Sequence, residues 1–373
     1  MKIALISAVA IRTPPLAYGG LEKCVYDFAA GLEDLGHDVT LIAAKGSKAP
    51  RGVRLVETVE SWDSLTEERK QAYSKADGIP REYLGQKWVA HTWNGWRAHE
   101  EEAFQMYEAE LKGVDVIGDH SWSKWSYTTK KDEIIGTCHS MKPYNLPPPR
   151  EFPLFVGVSR GHSHLLSQAW QRPVRTAWNP VNVDEFTVQK DKSDRALSFN
   201  RIMATKGIHH FVNVINELKV KGDVAGDDST LVGDQNYVNW IKESCKKSAY
   251  LSYFGLVDDK ERKRLLMDAK VLVCLKDAGY EEVFGLQAVE ALACGTPVVA
   301  LHSWGFDDTI INGENGFLCD NMEQVKVTLG KIMKGEVKLD PEVCRKSAER
   351  FSRKNSSKDY ERLFESVKKG NRW

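Results

Sequence analysis

Long apolar runs are missing from this chain: none approaches the roughly 18–20 residues that a membrane-spanning helix needs. The first fifteen residues, MKIALISAVAIRTPP, resemble a short signal peptide. They lack a strongly basic segment, however, and their apolar stretch contains Ser7 and ends at Arg12. We therefore interpret this segment as a buried first strand, and we expect a cytoplasmic protein without a transmembrane segment.

Net charge is also missing, because 52 Lys and Arg residues balance 52 Asp and Glu residues. Such a chain has no general attraction for nucleic acid, which is therefore not an expected partner. The seven cysteines are scattered and form no Cys-x-x-Cys motif, which argues for reduced thiols rather than a zinc or redox site. The closely spaced histidines, His162 with His164 and His209 with His210, have no partner motif of the His-Glu-x-x-His kind. We predict no metal site at either pair.

Two ligand-binding motifs are absent as well. Without a Gly-x-Gly-x-x-Gly sequence, a bound dinucleotide is not the natural interpretation of the first strand–helix–strand pattern. The chain also has no Asp-x-Asp sequence, a carboxylate pair that could hold Mg²⁺ or Mn²⁺ against a diphosphate.

What is present is a regular alternation of strand and helix patterns, typical of parallel sheets with helices on both faces. One series runs from the apolar residues 2–9 to residues 154–158, and a second runs from 196–200 to 297–301. The length of 373 residues suits two domains. We predict an α/β protein with two Rossmann-like domains that face each other across a cleft. The first covers residues 1–178, the second covers 179–352, and a final helix covers 353–373.

Tryptophan is concentrated in the first domain. Six of the eleven tryptophans lie between residues 62 and 125, mostly in a polar insert at about residues 60–112. Exposed aromatic faces stack on sugar rings or bases, whereas buried ones would form a local core. The sequence leaves both interpretations open.

The segment 281–299, EEVFGLQAVEALACGTPVV, is the most informative for chemistry. Its Glu282 precedes a helix predicted to begin near Gly285, and its Glu290 lies inside that helix. Free N–H groups at a helix N-terminus bind hydroxyl or phosphate oxygens, and carboxylates accept hydrogen bonds from hydroxyl groups. This pattern suits a ligand rich in hydroxyls. The alternative is a capping acid and a surface glutamate on an ordinary helix.

Two further loops suit an anionic ligand. Arg201 and Lys206 lie between a strand and a helix, where two cations could neutralise a diphosphate, although solvated loop cations are the common alternative. Gly19 and Gly20 directly precede a helix and would let backbone N–H groups approach an anion, although a tight turn also explains them.

Taken in order, these stretches resemble the motifs of the retaining nucleotide-sugar glycosyltransferases of GT-B fold, glycosyltransferase family 4 (glycosyl transferases group 1). The matching stretches are residues 14–41, IIGTCHS (134–140), NPVNVDEF (179–186), FNRIMATKG (199–207), residues 281–299, NGENGFL (312–318) and FSRKNSSKDYERLF (351–364). The resemblance implies a GT-B fold in which the C-terminal helix crosses back to the first domain. It also implies that the second domain binds the donor and the first binds the acceptor.

The resemblance also implies roles for individual residues. The catalytic group would be His139, Arg201, Lys206 and Glu282. The donor would contact Gly19, Gly20, Arg201, Lys206, Glu282, Val283, Phe284, Gly285, Leu286 and Glu290. Among these residues, His139 and Glu282 would face the sugar of the donor, and Glu290 would face its ribose. Candidate acceptor contacts are Trp93, Trp96 and His120, and His120 is also the second candidate for the role of His139.

The activity implied is transfer of a sugar from a nucleotide-sugar to an acceptor hydroxyl with retention of configuration, and a UDP-sugar is the preferred donor. GDP- and ADP-sugars remain alternatives. No metal or other cofactor is expected, because Arg201, Lys206 and helix N-termini would replace the cation. The rival hypotheses are a nucleotide-sugar epimerase of the same fold and a non-catalytic sugar-binding remnant. The acceptor is left open among glycans, lipid-linked saccharides, metabolites and modified macromolecules.

Overall fold

A computed structural model describes residues 1–16, 19–77, 81–83, 86–88, 95–129, 131–140, 154–229 and 234–373. Two separate parallel sheets account for most of the strands, as the alternating pattern predicted. Within the described ranges, no helix combines the length and the apolar character that crossing a membrane requires. The candidate residue Trp93 lies outside the described residues.

The first sheet contains seven parallel strands. They are β1 (Lys2–Ile6), β2 (Asp38–Lys45), β3 (Arg54–Glu60), β6 (Val116–Asp119), β7 (Ile134–Cys138), β8 (Phe155–Gly157) and β9 (Arg175–Thr176). Their spatial order is β3-β2-β1-β6-β7-β8-β9. A separate antiparallel pair consists of β4 (Arg81–Tyr83) and β5 (Gln86–Trp88). The helices of this half are α1 (Gly20–Asp34), α2 (Glu67–Asp77), α3 (Trp96–Tyr107) and α4 (Arg160–Trp170).

The second sheet contains six parallel strands. They are β10 (Arg195–Phe199), β11 (Lys221–Ala225), β12 (Leu251–Gly255), β13 (Val271–Cys274), β14 (Val298–Leu301) and β15 (Gly316–Cys319), in the order β12-β11-β10-β13-β14-β15. The helices that follow are α5 (Ile208–Leu218), α6 (Gln235–Lys247), α7 (Asp259–Asp268), α8 (Leu286–Ala293), α9 (Phe306–Thr309), α10 (Met322–Lys334) and α11 (Pro341–Ala348).

The strand order of the second sheet determines where a ligand can bind. Strand β10 lies between β11 and β13, so the chain leaves β10 toward one side of the sheet and leaves β13 toward the other. In open parallel sheets, ligands bind at such a reversal, outside the carboxyl ends of the strands. The loops that follow β10 and β13 contain Arg201, Lys206 and Glu282.

The last helix, α12 (Arg353–Lys368), returns to the first domain. Its buried Tyr360 and Phe364 share a core with Ile3 and Phe28. Its Arg353 donates a hydrogen bond of 2.7 Å to the buried Asp27 of α1. This crossing confirms the position that the resemblance implied for the C-terminal helix.

Candidate active site

Lys206 lies at the end of the loop that connects β10 to α5. The next residue, Gly207, has a φ of +62°, and a Cβ there would lie 2.8 Å from the backbone nitrogen of Lys276. A side chain at residue 207 would therefore be strained and would collide with the loop after β13. Glycine lets the two loops pack closely, and this packing brings Lys206 against the segment that contains Glu282.

The structure joins two of the predicted site residues directly. Lys206 Nζ lies 2.5 Å from Glu282 Oε2, and the ammonium also lies 4.7 Å from the centre of the Tyr280 ring. Lys206 is only 7% exposed. The backbone of Glu282 is fixed as well, because its N–H donates to Ser303 Oγ at 2.6 Å and its carbonyl accepts from Gly305 N at 2.8 Å. A cation and a carboxylate are thus held together at the reversal of the second sheet.

The second predicted carboxylate has a partner that the sequence analysis missed. Glu290 is 6% exposed, and its Oε2 lies 2.5 Å from Arg262 Nη1 on α7. Arg262 also contacts Asp259 at 2.6 Å. Although burial opposes the charged form, Glu290 and Asp259 raise the pKa of Arg262 above its ordinary value. Arg262 lies in the run DDKERKR, where its residue type and spacing do not distinguish it from its charged neighbours.

The Gly-Gly loop of the first domain meets the start of α8 in the second domain. A Cβ on Gly20, the first residue of α1, would lie 3.2 Å from Leu286 Cδ1, and Leu286 is the first residue of α8. A Cβ on Gly19 would lie 2.3 Å from Ile11 Cδ1, so a larger residue does not fit there. The amino ends of two helices from different domains therefore approach each other, and helix amino ends are favourable for anions.

His139 follows β7, and its ring forms a hydrogen bond with the ring of His120. His120 Nδ1 lies 3.0 Å from His139 Nε2, and the His120 ring packs against both Phe28 and Tyr360, with ring centres 5.5 and 5.7 Å away. Burial lowers the pKa of His120 to about 3, with a contribution from Lys124. Burial, together with His120 and Lys124, places the pKa of His139 well below its usual value. Both rings are therefore neutral at pH 7.

The buried environment also indicates the tautomers of this pair. Among the residues that the structure describes, none forms a hydrogen bond with His120 Nε2. A buried N–H without a partner is rarer than an unpaired acceptor. We therefore assign the proton of His120 to Nδ1, from which it donates to His139 Nε2. This assignment makes Nδ1 the donor nitrogen of His139. His162 contacts the residue that follows His139, because its Nε2 lies 2.9 Å from the carbonyl oxygen of Ser140.

The described tryptophans near the insert pack largely against other aromatic rings. Trp62 is 9% exposed, and its ring lies 6.1 Å from Trp96 and 5.5 Å from His99. Trp96 in turn lies 6.3 Å from Trp122. These contacts support a local core for Trp62, whereas the half-buried Trp96 keeps part of its surface available. Contact of Trp96 or His120 with an acceptor stays a prediction.

Glu22, in the first turn of α1, is a protonated carboxyl at neutral pH. Burial raises its pKa from 4.5 to about 8, and the charges of Asp63 and Glu100 add to the effect. The folded protein therefore holds this proton more tightly than the unfolded chain does. The resulting stabilisation is complete below pH 4.5 and is lost as the pH rises through about 8.

Replacing Glu22 by glutamine should remove this pH dependence, because the amide has nothing to ionise. We expect the melting temperature of Glu22→Gln to rise relative to that of the unmodified protein between pH 5 and pH 9. Thermal unfolding of both proteins at several pH values measures the difference. If the difference in melting temperature between the two proteins stays constant from pH 5 to pH 9, the assignment of the buried proton to Glu22 is contradicted.

Several known proteins are similar to this chain. Residues 182–355 match the family described as glycosyl transferases group 1. A glycogen synthase of Mycobacterium tuberculosis (strain CDC 1551 / Oshkosh) is 24% identical, with 86% of this chain and 82% of that protein covered. A D-inositol 3-phosphate glycosyltransferase of Rhodococcus jostii (strain RHA1) is 54% identical over 41 residues, which are 11% of this chain and 9% of that protein.

Solved structures show the same fold over the whole chain. A sucrose-phosphate synthase of Thermosynechococcus elongatus has a TM-score of 0.75 at 17% identity, with 100% of both chains covered. The Anabaena protein Alr3699/HepE, solved in complex with UDP and glucose, has a TM-score of 0.66 at 15% identity, with 98% of this chain and 100% of that chain covered. The predicted GT-B fold is therefore confirmed. Residues 182–355 are thus similar to the glycosyl transferases group 1, and the chain as a whole has the GT-B fold.

Proposed function

We propose that this chain transfers a sugar from a UDP-sugar to an acceptor hydroxyl, with retention of configuration and without a catalytic metal ion. A nucleotide-sugar donor follows from the group 1 family. UDP is the preferred nucleotide because structural neighbours of this chain were solved with UDP and with UDP-glucose. Retention is what the resemblance to glycosyltransferase family 4 implies.

The ion pair between Lys206 and Glu282 is the observation that carries the proposal. Its two members are 2.5 Å apart, so the pair suits a ligand that presents an anionic group next to a hydroxyl-bearing group. A diphosphate bonded to a sugar has this composition. Lys206 and Arg201 would take the diphosphate, and Glu282 would accept hydrogen bonds from the sugar.

The remaining site residues are assigned to the ribose, the diphosphate and the sugar of the same donor. Glu290, held by Arg262, would accept hydrogen bonds from the ribose hydroxyls. The facing helix amino ends at Gly20 and Leu286 would stabilise the diphosphate from both domains. His139, with its proton on Nδ1, would donate a hydrogen bond to a sugar hydroxyl.

No protein nucleophile is part of the proposed reaction. The bond from the anomeric carbon to the diphosphate oxygen breaks, and the acceptor oxygen bonds to that carbon from the same face. The proton of the acceptor hydroxyl passes to an oxygen of the departing diphosphate. The two cations stabilise the charge that develops there, which is where stabilisation accelerates the reaction. A cytoplasmic location and the acceptor contacts of the first domain stay predictions.

Slow release of UDP from a UDP-sugar in the absence of an acceptor is the expected result of the first test. A panel of UDP-, GDP- and ADP-sugars is incubated with the protein, and the products are separated by ion-exchange chromatography. We expect the same rate in the presence of excess EDTA. An isomerised nucleotide-sugar would support an epimerase instead, and no turnover with any donor would support a binding remnant. Loss of turnover in EDTA, with recovery on adding Mg²⁺ or Mn²⁺, would overturn metal independence alone.

A further inference from the structure

Two adjacent imidazoles and one carboxylate converge near the site, although they take no part in the proposed transfer. His209 and His210 lie in the first turn of α5, and Asp277 lies in the loop after β13. One ligand atom from each of the three lies within 4.8 Å of the other two. His210 Nε2 and Asp277 Oδ1 are 3.8 Å apart, which is too far for a hydrogen bond and leaves room between them.

The backbone holds these three residues in place. Asp277 N donates to the carbonyl of Thr205 at 3.0 Å, and Asp277 Oδ1 accepts from Ala278 N at 2.9 Å. Gly207 packs against the backbone of Lys276, as described above. The two segments that supply the side chains are therefore fixed to each other before any ligand binds.

His209 has the supporting contact that metal-binding histidines usually have. Its Nδ1 lies 3.0 Å from the hydroxyl of Tyr237, and the same hydroxyl accepts a hydrogen bond of 3.1 Å from the backbone N–H of His209. When Nδ1–H donates to Tyr237, the lone pair of Nε2 is available to a metal. Such an outer hydrogen bond fixes the tautomer and the ring orientation of a ligand.

We propose that His209, His210 and Asp277 bind one divalent transition-metal ion, with Zn²⁺ the preferred ion and water completing the coordination. Two imidazoles and a carboxylate suit Zn²⁺, whereas Mg²⁺ and Ca²⁺ prefer oxygen ligands. The ion would add to the contacts that already hold the start of α5 against the loop after β13. Those two segments flank Lys206 and Glu282, so the proposed role is structural. The site does not depend on the identity of the donor, and turnover that survives EDTA is compatible with it.

Calorimetric titration of the metal-free protein tests the proposal. We expect one Zn²⁺ per chain and no comparable binding of Mg²⁺. Tyr237→Phe removes only the outer hydrogen bond, so it should weaken Zn²⁺ binding by roughly 10–100-fold. His210→Ala and Asp277→Asn remove ligands and should weaken it at least as much. Asp277→Asn keeps the size of the side chain, so this variant tests the site even if His210→Ala folds poorly.

His302→Ala provides the matched control. His302 also pairs with a carboxylate, Asp307 at 3.0 Å, but no third ligand joins that pair among the described residues. This variant should bind Zn²⁺ as the unmodified protein does. The absence of stoichiometric Zn²⁺ binding would overturn the proposal. Equal affinity in the unmodified protein, Asp277→Asn and Tyr237→Phe would overturn it as well.

Discussion

Replacing Lys206 by alanine should lower turnover of the nucleotide-sugar by roughly 10²–10³, because lost electrostatic stabilisation of a leaving group typically has that cost. Arg201→Ala should behave similarly, since both cations are assigned to the diphosphate. Steady-state rates of nucleotide release measure the effect. The matched control is Lys221→Ala, because Lys221 also pairs with a carboxylate, Asp194 at 2.9 Å, but lies at the amino end of β11. Near-normal turnover in both Lys206→Ala and Arg201→Ala would contradict the assignment.

Because Lys206 is buried, we expect Lys206→Ala to lower the stability of the protein as well as its turnover. A solvated loop cation could be removed with little effect on folding, but Lys206 is 7% exposed and pairs with Glu282. Its removal leaves a half-buried carboxylate without its cation, which costs about 1–3 kcal/mol. Lys206→Met keeps the apolar length of the side chain and limits the loss of packing. Because these variants are less stable, their rates should be compared well below the melting temperature of each one.

Much of the fold follows from the sequence because parallel strands are short apolar runs between turn residues. This signal is clear for the central strands β1 and β13, which are buried. It is weak for β11, whose sequence KGDVA contains a glycine and two charged residues. Gly222 is needed there, because a Cβ would lie 3.0–3.1 Å from Ile215 and Phe211. The edge strand β3, with the sequence RLVETVE, was not predicted, because an edge strand alternates and keeps polar residues.

The site was predictable only as far as its residues lie in local motifs. Glu282, Glu290, Arg201 and Lys206 belong to short segments with a recognisable order. Other contacts come from elsewhere in the chain: Glu290 pairs with Arg262 of the charged helix α7, and His139 contacts His120, which follows β6. The pairing of His210 with Asp277 is of the same kind, because the loop after β13 is brought to α5 only by the fold. Side chains that act through tertiary contacts leave no periodic signal in the sequence.

The paired carboxylates should respond differently to the same substitution, because one is assigned to the ribose and the other to the sugar. Glu290→Gln should weaken binding of UDP by roughly the 1.5–3 kcal/mol of a charged hydrogen bond. Glu282→Gln should leave UDP binding almost unchanged and lower turnover by about 10² or more, since it contacts the sugar whose anomeric carbon becomes cationic. Calorimetry with UDP and steady-state rates, measured on both variants, separate the two effects.

The contact between Glu290 and Arg262 requires a control, because losing that ion pair could weaken UDP binding through a shift of α7. Asp259→Asn removes the other carboxylate that contacts Arg262, at 2.6 Å, from a side chain that is 58% exposed. It should leave UDP binding unchanged, because no donor contact is assigned to Asp259. Equal weakening by Asp259→Asn and Glu290→Gln would show that Glu290 acts through Arg262 rather than on the ribose. Equal weakening of UDP binding by Glu282→Gln and Glu290→Gln would contradict the division of the pair, and with it the proposed orientation of the donor between α1 and α8.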